Sequence, residues 1–351
     1  MEDDEKLALL KEKYGDGSGG EFFNEDFKKV ADAIFSGDRR PPPYSGVSTF
    51  LDAPYKSLQF DDAQVDQPDV ALIGVPMDLG VTNRNGSRFG PRAVRSVDRV
   101  GPYHHMMKCA PLTEAMVVDA GDVPFRSRFN LDLSTEDIEQ YYRKVVAAGI
   151  IPLSVGGDHS ISFPILKAIG QDKPVGMIQI DAHCDTAGAY EGQKFHHGGP
   201  FRNAVLNGVL DPNRTVQIGI RGATEYLWEF SYESGMTVIH SEDVHRRGVD
   251  DVIAEARDIV GDGPVYLSFD VDGLDPAFTP GTGTPELGGL STREALMMMA
   301  GFAGLNFIGG DVVEVAPQYD ATTNTAQVGA QMLFEILCLL VRNPNFSRSN
   351  L

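Results

Sequence analysis

From residue 70 onward, short apolar, β-branched runs recur along the chain: VALIGVPM at 70–77, AMVVDAGDV at 115–123, IIPLSVGG at 150–157 and VGMIQIDAH at 175–183. TVQIGI at 215–220, MTVIHSEDV at 236–244, PVYLSFDVD at 264–272 and FIGGDVVEV at 307–315 continue the series. Between most of them lie stretches with helical patterning, among them SFPILKAIG at 162–170, DDVIAEARDIV at 250–260 and TREALMMMAGFAG at 292–304. Strands that are apolar throughout, rather than at alternate positions, are buried on both faces. Eight of them interleaved with helices predict an α/β fold, a parallel sheet covered on both sides. The pattern runs to the end with no break in composition and no internal repeat, which fits one domain over residues 66–351.

The first 65 residues read differently. They hold an acidic start, the glycine-rich run GDGSGG at 15–20 and the prolines at 41–43. An amphipathic helix is expected near 24–35, and otherwise an extended N-terminal arm over 1–65 lying on the body or on a neighbouring subunit.

Composition narrows the partners. In 351 residues, 30 Lys and Arg stand against 50 Asp and Glu, a net charge of −20, and 42% of residues are hydrophobic. A chain of this size buries a sizeable core. So negative a surface repels phosphate backbones, which argues against nucleic acid and favours a small cationic molecule. No uninterrupted apolar run approaches the roughly 18 residues of a membrane span. The opening MEDDEKLALLKEKYGDG carries acids where a signal peptide carries bases. Three sparse cysteines, Cys109, Cys184 and Cys338, suit a reduced, cytoplasmic setting.

The notable polar residues fall just after the apolar runs, where an α/β sheet opens its ligand crevice. Gly156-Gly157-Asp158-His159-Ser160 follows one run, Asp181-Ala182-His183-Cys184-Asp185 a second and Asp270-Val271-Asp272 a third, while Glu314 ends a fourth. Alternate residues of an extended chain share a side, so Asp181, His183 and Asp185 are expected to converge, as are Asp270 and Asp272. So many charged groups crowded together call for a compensating cation. With His159 they make six oxygen and nitrogen ligands: His159, Asp181, His183, Asp185, Asp270 and Asp272. One tetrahedral zinc needs fewer. Two ions sharing carboxylates fit better, Mn²⁺ matching the donor softness and Ni²⁺ and Co²⁺ being compatible. Such a pair can hold a hydroxide nucleophile at neutral pH. Cys184 is expected to point away from the cluster and serve packing.

These residues carry a resemblance to the ureohydrolase superfamily of arginases and agmatinases, most of all its agmatinase and guanidinobutyrase branch. The matching strings are GGDHS at 156–160, DAHCD at 181–185, SFDVDGLDPAFTPGTGTPELGG at 268–289, VPMDLGVTNRNGSRFGPRAVR at 75–95, HGGPFRNA at 197–204 and DVVEVAPQYD at 311–320. They span roughly residues 66–340. The resemblance implies a three-layer α/β/α fold with an eight-stranded parallel sheet, and assembly as trimers or hexamers. It implies that His159, Asp181, Asp185 and Asp270 hold one metal and Asp181, His183, Asp270 and Asp272 a second. Asp185 would orient the hydroxide and pass its proton to the leaving nitrogen. His197 would shuttle protons at the cleft mouth, and Glu314 would bind the substrate guanidinium, which a carboxylate accepts bidentately.

The implied activity is release of urea from a small guanidino compound, agmatine or a guanidino acid first. Free guanidine, an alkylguanidine or a biguanide with nickel is the alternative, favoured by the long N-terminal arm. The stretch TAGAYEGQKFHHGG lacks the Ser and Asn with which arginases grip an α-carboxylate, which disfavours arginine. Gly199 stands in HGGPF where agmatinases commonly carry Thr, so the pocket there is expected to be roomier or reshaped. A non-catalytic subunit scaffolding a paralogous partner is the reading from another class, and the complete ligand set speaks against it.

Overall fold

Each of the eight apolar runs forms a strand: β1 Val70–Val75, β2 Val117–Asp122, β3 Ile151–Gly156, β4 Val175–Ile180, β5 Leu210–Ile220, β6 Thr237–His240, β7 Val265–Asp270 and β8 Phe307–Val313. The computed structural model describes residues 2–15, 22–34, 42, 44–60, 66–98, 100–222 and 224–346. It divides into two units, Met1–Gly46 and Val47–Leu351.

In the larger unit the strands form one sheet in the order β2-β1-β3-β8-β7-β4-β5-β6, with every neighbouring pair parallel. Every residue of β1, β4 and β7 is buried, as apolarity on both faces requires. Alternate side chains feed two separate cores. Leu72, Ile178, Ile180, Leu267 and Phe269 pack with the helices Val249–Val260, Thr292–Gly301 and Asn324–Val341. Ala71, Ile73, Met177 and Tyr266 face the other way, onto the helices Leu131–Ala147, Ser162–Ile169 and Pro200–Leu206. The architecture is therefore three layers, α/β/α, as the sequence implies.

Two differences concern where strands start and stop. The run 236–244 stops as strand at His240, and Ser241–Arg247 is helical. Its acids Glu242 and Asp243 sit in the first turn and its bases His245, Arg246 and Arg247 in the last, matching the helix dipole. Conversely β5 begins at Leu210, ahead of the run at 215. The helix Asn324–Val341 is long and apolar enough by length and composition to cross a bilayer, with mean hydropathy 1.3, yet 78% of it is buried inside this fold. Its one acid, Glu335, meets His104 Nε2 at 2.7 Å.

Residues 47–60, grouped with the arm on sequence grounds, pack into the larger unit. Phe50, Leu51 and Ala53 join a core, and the Phe50 amide donates to Asp119 Oδ2 at 2.9 Å. Among the described residues, the smaller unit holds two helices, Glu2–Tyr14 and Glu25–Ile34. The second is the expected one, capped by Asn24 Oδ1, which accepts from the amides of Asp26 and Phe27. The first corrects the expectation of an extended chain. Its Glu, Lys, Leu and Ala are strong helix formers, and it opens on four acids, Glu2, Asp3, Asp4 and Glu5, and carries Lys11 and Lys13 in its last turn, as the dipole favours. Most of the glycine-rich run and of the proline cluster lies outside the described residues.

Candidate metal centre

The sheet order places β3, β8, β7 and β4 side by side at its middle, and these four strands carry the candidate residues at their C-terminal ends. After β3 the chain must turn against β1. At Gly157, φ is +22°, and a Cβ would lie 2.2 Å from the Met77 carbonyl oxygen, so only glycine fits. Asp158 then caps the turn that carries His159, accepting from the Ser160 amide at 2.9 Å.

The acids beyond β4 and β7 converge for a different reason from the expected one. Asp181 and Asp272 lie past the strand ends, in turns rather than extended chain. Each strand-end carboxylate folds its own turn. Asp181 Oδ1 accepts from the His183 amide at 2.7 Å, and Asp270 Oδ1 from the Asp272 amide at 2.8 Å. Asp185 sits at φ +51°, a conformation costly for a residue with a Cβ and typical of functional sites.

All six expected ligands meet. His159 Nδ1 lies 3.1 Å from Asp181 Oδ2, 2.8 Å from Asp185 Oδ2 and 3.3 Å from Asp270 Oδ2. His183 Nδ1 lies 3.5 Å from Asp181 Oδ1 and 3.2 Å from Asp272 Oδ2. His159, Asp181 and Asp270 thus form one group with metal-ligand spacing, and Asp181, His183 and Asp272 a second. Asp181 belongs to both and offers one oxygen to each. His159 Nδ1 is buried and has no hydrogen-bond partner, although three carboxylate oxygens surround it. A divalent cation among those donors satisfies both the orphaned nitrogen and the crowded acids, so the residues fit a metal pair.

The electrostatics carry the same strain. Burial, reinforced by the charges of Asp272 and Asp181, pushes Asp270 well above the usual carboxylate range. Burial and the Asp181 charge raise Asp185 as well. Burial opposes a charge on His159, yet Asp181, Asp185 and Asp270 raise it well above an ordinary imidazole. Asp181 goes down despite its burial, because the His159 and His183 imidazoles lie against its two oxygens.

His197 and Glu314 adjoin the cluster. His197 Nδ1 is 2.9 Å from Glu314 Oε1, which also accepts from the His159 amide at 3.0 Å. Thr82 meets His197 Nε2 through its hydroxyl at 2.7 Å and its amide at 3.2 Å. Against the cost of burial, Glu314 holds His197 at about 9. Glu314 is only 1% exposed and adopts φ +65°.

A cleft of about 300 Å³ opens over the cluster. Asp185, His183, His197 and Asp270 line it, and sequence reasoning missed Thr82, Asn83, Trp228 and Glu286 in its walls. Thr82 and Asn83 lie inside the quoted string at 75–95, whereas nothing near Trp228 marked it. Arg221 was missed too. Just beyond β5, its guanidinium donates to the carbonyls of Gly219, Asp272, Gly273, Leu274, Glu286 and Leu287. It ties the Asp272 turn to the cleft wall. Cys184 packs against Ile220 and Trp228, and burial pushes its thiol up to about 12. At Gly199 a Cβ would lie 3.0 Å from the Ala187 carbonyl and 3.1 Å from the His196 ring, so the space there is filled rather than roomier.

The arginase family model matches residues 68–339. The chain is 48% identical to guanidinopropionase of Pseudomonas aeruginosa over 306 residues, 86% of this chain and 94% of that protein. It is 46% identical to mitochondrial agmatinase of Gallus gallus, covering 78% of this chain and 81% of that one. Among solved structures, proclavaminate amidino hydrolase from Streptomyces clavuligerus superposes with a TM-score of 0.79 at 34% identity, over 86% of this chain and 99% of that chain.

Proposed function

The chain belongs to the arginase family, and on that premise we propose that it hydrolyses a small guanidino compound, agmatine or a guanidino acid, to urea and an amine with two divalent ions, Mn²⁺ or Ni²⁺. It is a hydrolase acting on carbon–nitrogen bonds of linear amidines. The observation that carries the metal reading is His159 Nδ1, buried without a hydrogen-bond partner among three carboxylate oxygens. The names of similar proteins, guanidinopropionase and agmatinase, support the substrate class.

His159, Asp181, Asp185 and Asp270 would hold one ion, and Asp181, His183, Asp270 and Asp272 the other. The ion pair supplies Lewis acidity and makes water nucleophilic at neutral pH. The remaining work falls to side chains. Glu314 Oε1 is engaged by His197 and the His159 amide, which leaves Oε2 to accept from the guanidinium. Asp185, raised by burial, takes the proton of the attacking water on its carboxylate and returns it to the nitrogen of the breaking C–N bond. Water adds its oxygen to the guanidinium carbon, the amine leaves, and urea remains. His197 relays protons to solvent through Nε2, steadied by Thr82 while Glu314 holds Nδ1.

The test is urea release after loading metal-free protein separately with Mn²⁺ or Ni²⁺. The panel comprises agmatine, 3-guanidinopropionate, 4-guanidinobutyrate, guanidine and a biguanide. Metal-dependent urea formation from at least one member is expected. No urea from any member with either ion would overturn the proposal.

A further inference from the structure

Behind the centre lies a buried carboxylate to which the mechanism gives no task. Asp311, in β8, is wholly buried and accepts three hydroxyl hydrogen bonds. Ser268 Oγ donates to Oδ1 at 2.7 Å, while Tyr266 OH and Ser162 Oγ donate to Oδ2 at 2.7 and 2.6 Å. Burial and the Asp311 charge push the Tyr266 phenol well above its usual range, so it stays a donor. A carboxylate so deep, balanced only by hydroxyls, is costly to maintain for packing alone.

Its reach extends through Ser268. A serine hydroxyl has one hydrogen, and here Asp311 receives it. Toward His159 Nε2, 2.8 Å away, Ser268 Oγ therefore has only lone pairs to offer. Nε2 must carry the hydrogen, and in a neutral imidazole Nδ1 then bears the free lone pair. Nδ1 is the atom that faces Asp181, Asp185 and Asp270.

We propose that Asp311 is a positioning residue that, through Ser268, locks the His159 ring in the tautomer and orientation needed to ligate one of the two ions. The second ion lies outside its influence. His183 turns its Nε2 away from this relay, toward Glu286 Oε1 at 3.8 Å on the cleft wall. This inference rests on the metal reading above, and its test separates the two.

The experiment titrates metal-free full-length protein with Mn²⁺ by calorimetry, for wild type, Asp311→Asn, Ser268→Ala and Tyr266→Phe. Wild type should bind two ions. Ser268→Ala and Asp311→Asn should each weaken one ion by about 10–100-fold and leave the other within about twofold. Tyr266→Phe removes a donor to Asp311 but spares the Ser268 link, so it should bind both ions like wild type. Should Asp311→Asn fail to fold, Ser268→Ala carries the test, since it only deletes a hydroxyl. Two ions bound to Ser268→Ala with unchanged affinity would overturn the relay alone. Equal weakening of both ions, or a Tyr266→Phe defect matching that of Ser268→Ala, would overturn it too, by showing a packing effect. A wild type that binds no ion would overturn the relay and the metal reading together.

Discussion

Glu314 Oε1 accepts a hydrogen bond from His197 Nδ1 at 2.9 Å, which joins the carboxylate expected to hold the guanidinium to the imidazole expected to move protons. His197 is protonated below about 9 and loses its proton as pH rises through that value, so a step that needs the imidazolium should fade on the alkaline side. Glu314→Gln keeps the shape but removes the charge that does most to raise His197, leaving only the more modest pull of Asp185 and Asp158 against burial. Measured as kcat/KM against pH, the variant's alkaline limb should move down by at least about one unit. Its maximum should fall by about 2–4 kcal/mol for the lost charge-assisted contact. A wild-type profile from the variant would remove Glu314 from both roles.

Metal stoichiometry follows from Asp181, whose two oxygens face different histidines. Elemental analysis of fully loaded protein should approach two ions per chain. Chelation should abolish urea release and reloading should restore it. One ion at full activity would rule out the paired centre.

Asp272→Ala should lose the ion beside His183 and with it urea release. The fold has opposing terms at this position. Removing the acid relieves repulsion with Asp181, one of the charges acting on Asp272, but strands the Ala182 amide and the Thr284 hydroxyl that donate to it. An unsatisfied buried donor costs about 1–3 kcal/mol, so the melting temperature should fall modestly while the protein stays folded. Near-normal activity would show that Asp272 is not a ligand.

Arg221→Lys keeps the charge and loses the planar fork that reaches several carbonyls at once. We expect a stability loss of about 2–3 kcal/mol in denaturant unfolding, as charged hydrogen bonds are lost. Metal should dissociate faster from this variant, because the Asp272 turn loosens. Unchanged stability and metal retention would mean that the clamp is redundant.

Much of this was legible in the chain itself. Eight runs apolar on both faces, from Val70–Val75 to Phe307–Val313, specify a covered parallel sheet, because only such a sheet buries both sides of a strand. The strings around His159, Asp181 and Asp270 mark candidate ligands, because crowded acids and imidazoles at strand ends call for a cation. Local pattern could not supply the way they converge. Asp181 and Asp270 reach the centre by folding turns on their own carboxylates, which alternation along an extended chain does not describe. Nor could it supply the supports. Asp311 reads as one more residue of a strand, and Arg221 as a loop cation. Their roles exist only because β7, β8 and the turns after β5 and β7 are brought side by side. Periodicity reports which face a residue presents. Which groups share a proton or a carbonyl across hundreds of residues of chain is decided only when the strands pack.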